Sequence, residues 1–139
     1  MGESRSQSWV RTAVFLGIGY AFVGIVFALP TTHAQAWRLA AWVVSAIGYA
    51  AHIAYERFRL QNPPGSAALH VAFAVALGAF GLAIGANIHS LHAGSTQRRH
   101  VLLLSLGIWP VITALPAFLV AFGTNIVLAR VFGSVEVSS

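Results

Sequence analysis

The sequence predicts an all-α membrane protein, with four transmembrane helices in an antiparallel up-down bundle. Three observations predict it. Of the 139 residues, 58% are hydrophobic and only 8% charged, where a soluble domain carries about a quarter charged residues to keep its surface wet. Eight arginines and three glutamates, with no lysine and no aspartate, are too few to cover such a surface. The apolar residues also gather into four runs joined by short connections, each run near the ~20 residues that a helix needs to cross a bilayer.

The first run covers residues 10–29 and stops at Pro30. The second covers 37–58 and ends before "RLQNPPGS", whose Pro63-Pro64-Gly65 is a turn signal. The third covers 67–89. The fourth, 101–128, contains Pro110 and Pro116 and is long enough to be tilted or kinked. No soluble domain, linker or internal repeat interrupts them, so the chain reads as one four-helix domain over residues 1–139.

The start of the chain carries two targeting patterns. "AQA" at 34–36 resembles a signal-peptidase site, but the apolar run before it is longer than a usual signal. "MGESRS" matches a myristoylation pattern, from which a chain with four spans gains nothing. Both are set aside.

Arginine placement gives the orientation. Arg5, Arg11, Arg57, Arg59 and Arg130 fall on one side of four spans, and Arg38, Arg98 and Arg99 on the other. The richer side is the cytoplasmic one. The expectation is a multi-pass protein of a bacterial inner (plasma) membrane with both termini cytoplasmic. Trp9, Trp37 and Trp42 lie near run ends, as interfacial anchors do. The net charge of +5 is scattered along these ends, so membrane topology explains it and nucleic acid is not an expected partner.

At about 100° per residue, Ala41, Ser45, Gly48, His52 and Glu56 share one stripe of the second helix. His70, Ala74, Gly78, Gly81, Gly85, His89 and His92 line the third. Gly17, Ala21, Gly24 and Ala28 line the first, and Gly107, Ala114, Ala121 and Asn125 trace a looser stripe on the fourth. In lipid, apolar burial gives helices no reason to associate, so small residues mark the faces that pack. His52 and Glu56 therefore face inward. Depth matching across the proline turn brings Tyr49, His52, Glu56, His70 and Asn125 into one candidate polar cluster.

Four roles are open to this cluster. His52 and Glu56, or Glu56 with Arg57 and Arg59, can simply satisfy one another. His52, Glu56 and His70 are a ligand set for a divalent metal, and His52 with His70 can hold a haem b axially. Glu56 beside His52 can also relay protons. A second histidine group, His33, His89, His92 and His100, sits at the opposite face; the i, i+3 pair His89 and His92 suits a divalent metal. Interfacial histidines and arginines also meet lipid headgroups or a partner. Asn87 is expected to hydrogen-bond locally.

Several chemistries are excluded. Without cysteine there is no disulfide, thiolate zinc site, iron–sulfur cluster or covalently attached haem. Without aspartate no Ser-His-Asp set exists, and no phosphate-binding or dinucleotide fingerprint is present. No catalytic residue is assigned, and so little mass outside the runs argues against an enzyme. The leading expectation is a protein that acts by association, as an accessory subunit of a larger membrane complex or a homo-oligomer, with the bilayer and other subunits as partners. A haem- or metal-binding redox protein and a small proton-coupled transporter are the rivals.

Overall fold

The computed structural model describes residues 3–28, 32–92 and 99–133. It is all-helical: α1 is Glu3–Ala28, α2 Ala34–Phe58, α3 Pro64–His92 and α4 Arg99–Gly133. The start of the myristoylation pattern, Pro30 and Arg98 lie outside the described residues, as do the side chains of Arg5, His92 and Arg99. α4 passes Pro110 and Pro116 without interruption. At about 1.5 Å per residue it reaches roughly 50 Å, well beyond a ~30 Å hydrocarbon layer.

Helix ends follow local backbone chemistry. Pro64 opens α3, a position where its fixed φ is pre-organised and its missing N–H costs nothing. The Pro63 carbonyl accepts from the Ala67 N–H at 2.9 Å. At the end of α2, the N–H groups of Arg59 and Leu60 both donate to the Tyr55 carbonyl. Gln61 then adopts φ 50°, the left-handed conformation that ends many helices. That turn folds Asn62 back, so that its N–H donates to the Glu56 carbonyl at 3.3 Å.

Contacts along the helices give their directions. On α1, Gly17 meets Ala74 and Leu77, Ala21 meets Gly81, and Gly24 meets Leu82, so α1 and α3 run in the same sense. Asn87 on α3 donates to the Leu102 carbonyl at the start of α4, so these two run in opposite senses. Trp9 stacks on His70, and Phe58 packs edge-on against Phe132. The start of α1, the end of α2, the start of α3 and the end of α4 thus share one end of the bundle. The up-down alternation is present, but neighbours in sequence are not always the main neighbours in space. α3 runs between α1 and α4 and packs most extensively with both, whereas α2 makes its smaller contacts with all three.

Burial is inverted relative to a water-soluble bundle. Seven of the nine buried apolar residues among those described are alanines, the others being Ile53 and Val71. His52, Glu56 and Asn125 are buried, while Phe15, Ile18, Phe22, Trp42 and Ile47 are exposed. Small and polar groups inside, large apolar groups outside, is the arrangement that a lipid solvent selects.

α1, α3 and α4 are long and apolar enough to cross a membrane. The expectation of four transmembrane helices is met for these three, whereas α2 is not among the strongly apolar ones. Arg38, Ser45, His52 and Glu56, most of them on its inward stripe, dilute its hydropathy. The residues that make α2 chemically interesting are thus the ones that remove it from the strongly apolar class.

Candidate functional site

α2 delivers His52 and Glu56 one turn apart to the interior near its C-terminal end, and α3 delivers His70 just after the proline turn. The surrounding apolar cluster is Ile53, Ala68, Val71 and Ala121. Small side chains from α3 and α4 let the three helices close there, which removes Glu56 from solvent entirely.

The Glu56 carboxylate stands between two imidazoles. His70 Nδ1 lies 3.1 Å from Oε2, and His52 Nε2 lies 3.6 Å from Oε1. The first is a hydrogen bond in which His70 donates. The second exceeds hydrogen-bond length, and neither ring nitrogen of His52 nor Oε1 makes a hydrogen bond. Asn62 Nδ2 donates to Oε2 at 2.6 Å. These groups, and not Arg57 or Arg59, address the carboxylate.

Two members of this site were not assigned to it from the sequence. Asn62 sits in the loop, and only the left-handed Gln61 turns it back over Glu56; an Asn-Pro-Pro run signals a turn but not where its side chain goes. Trp9, read as an interfacial anchor, covers the His70 ring with centroids 4.3 Å apart and planes 5° from parallel. The signal available was depth, since Trp9 starts the first run on the side where His70 starts the third.

Two expected members stand apart. The Tyr49 hydroxyl donates to the Ala117 carbonyl on α4, one turn deeper than His52. Asn125 Nδ2 turns back to the Ala121 carbonyl of its own helix at 2.8 Å, leaving its buried Oδ1 without a partner. Asn87 joins two helices, donating to Ala83 at 2.8 Å and to Leu102 at 2.9 Å. At the opposite end His33 adopts φ 56°, and His33, His89 and His100 are exposed; the His92 side chain, the other half of that candidate pair, lies outside the described residues.

The geometry also bears on ligands. Among the described residues no group of three or more His, Asp or Glu side chains is arranged to hold a metal ion. His52 and His70 address different oxygens of Glu56, so their lone pairs do not converge with the carboxylate on one point. The same carboxylate lies between the two rings, where a haem b ligated by both would need its plane.

Removing the Asn62 amide tests the loop's part in the site. Asn62→Ala is expected to lower stability by about 1 kcal/mol, the scale of one polar contact within a bilayer, because His70 still holds Oε2. Thermal unfolding in detergent followed by circular dichroism measures it. A loss near zero would mean that water replaces the amide freely.

No protein-family model, curated protein or solved structure matches the chain.

Proposed function

We propose that this is a small proton-coupled transporter of a bacterial inner (plasma) membrane, crossing it four times with both termini cytoplasmic. The observation that carries this is the fully buried Glu56 carboxylate, with His70 on one oxygen and His52 beside the other. An ionisable group so fully enclosed by helices that span a membrane is costly and is a functional candidate by default. A structural role alone is less well supported, since Oε1 and both His52 nitrogens are buried without a hydrogen bond, Oε1 and Nε2 only facing each other at 3.6 Å.

The distances support a proton path through these groups. A proton on His70 Nδ1 crosses a 3.1 Å hydrogen bond to Oε2. Exchange between Oε1 and His52 Nε2 requires the 3.6 Å gap to close by several tenths of an ångström. Deeper in the bundle, Tyr20, Ser45, Tyr49, Val75, Leu82 and Thr113 help to line a cleft of about 470 Å³. A mainly apolar wall with a few hydroxyls suits a small, largely apolar solute.

In liposomes carrying an internal pH dye, the wild type should acidify the lumen under an imposed membrane potential. Glu56→Gln should reduce the rate at least tenfold. Equal rates in the two proteins would overturn the proposal.

Association with other membrane subunits or a second copy is the alternative. The small-residue stripes of α1 and α3, which suggested it, are matched to each other within the chain. What still favours it is Gly107 and Gly123 on α4, where an added Cβ would meet nothing within 4 Å. Because the chain has no cysteine, Gly107→Cys or Gly123→Cys would report a second copy by disulfide cross-linking in membranes.

A further inference from the structure

We propose that the cleft between α1 and α2 binds one anionic phospholipid drawn from the surrounding bilayer, with its phosphate at Arg11 and an acyl chain running inward. The inference rests on the membrane reading but not on proton coupling. The cleft holds about 700 Å³ and is lined by, among others, Arg11, Tyr55, His52, Phe15, Leu16 and Ala51. That volume lies within the range of small-molecule sites.

The lining is ordered by polarity along the bundle axis. α1 and α2 run in opposite senses, so Arg11 and Tyr55 stand together toward the end that carries the start of α1. Phe15, Leu16 and Ala51 continue the cleft inward, and Phe15 and Ala51 are open to the bilayer side. A guanidinium forms paired, charge-assisted hydrogen bonds with phosphate, and the apolar stretch beyond it matches a hydrocarbon chain. A free inorganic anion would leave that stretch uncovered.

His52 also borders this cleft, but its side chain is fully buried with Nε2 3.6 Å from Glu56 Oε1, so a lipid seated here covers the wall over the imidazole without touching the ring. The charge of Arg11 beside an apolar groove open to acyl chains is what selects an anionic lipid. An arginine that merely meets headgroups at the interface needs no such groove.

The test is native mass spectrometry of the full chain in detergent, titrated with phosphatidylglycerol, with phosphatidylcholine and with inorganic phosphate. One phosphatidylglycerol per chain should be retained, and phosphatidylcholine should bind at least tenfold more weakly. Arg11→Gln should lower phosphatidylglycerol binding about tenfold, the scale of one charge-assisted contact. Ala51→Phe fills the cleft from an exposed position and should block binding with the fold intact. Equal retention of both lipids, insensitivity to either variant, or displacement by inorganic phosphate would each overturn the proposal. Glu56→Gln separates the two proposals, since loss of proton flux with lipid retention unchanged removes neither, whereas flux without selective retention removes only the lipid site.

Discussion

Glu56→Leu is expected to destabilise the bundle by about 3 to 5 kcal/mol, the usual result of removing one partner from a buried charged pair. Three groups lose their acceptor or counter-charge at once. Asn62 Nδ2 and His70 Nδ1 would have no oxygen to donate to, and His52 would have no anion beside it. A single polar contact in a bilayer is worth only about 0.6 kcal/mol on average, so a large loss would show that the three act as a set. Glu56→Gln keeps one acceptor oxygen and the side-chain shape, and about 1 kcal/mol is expected for it. The Glu56→Leu/His52→Phe double variant should recover part of the loss, because fully apolar replacements of buried ionic groups are often well tolerated. Unfolding of purified protein by heat or by denaturing detergent measures all three. Equal stability for the leucine and glutamine variants would mean that the carboxylate holds nothing together.

Much of this was legible in the chain, and the limits are physical. Composition and run lengths were enough for four helices, and the inward stripe on α2 was enough for His52 and Glu56, because a period of 3.6 ties spacing to face. His70 followed from depth matching across a short turn. Tyr49 and Asn125 share that depth, but depth does not say what a hydroxyl or amide will choose. Each took a backbone carbonyl, Ala117 on α4 for Tyr49 and Ala121 on its own helix for Asn125. Asn62 depended on a single left-handed residue, Gln61, whose conformation no periodicity encodes. Helix adjacency was also hidden, since short connections imply sequential neighbours, yet the close α1–α3 contact is made by glycines on the two helices. A glycine stripe marks a packing face without naming its partner.

Gly17→Ala is expected to be the most damaging one-carbon change in that contact, at about 1 to 3 kcal/mol. A Cβ there would lie 2.6 Å from the Leu77 Cβ and 3.1 Å from the Ala74 carbonyl oxygen. Neither atom can swing aside, because one is the root of its side chain and the other is backbone, so α1 itself must move. Gly78→Ala meets the Tyr20 Cβ at 2.6 Å and should behave alike. Gly24→Ala looks as crowded, 2.5 Å from Leu82 Cδ2, but that is the far end of a flexible side chain and should yield at less than about 1 kcal/mol. Gly19→Ala enters open space and should be neutral or slightly stabilising, since alanine is the better helix former by about 0.5 to 1 kcal/mol. The ranking separates contact geometry from helix propensity, which predicts that all four changes stabilise. It also reaches the site. α1 carries Trp9, and α3 carries His70 beneath it, so a helix pushed outward at Gly17 carries the indole off the imidazole that holds Glu56. Gly17→Ala should therefore change the Trp9 emission and the proton flux together, whereas Gly19→Ala should change neither.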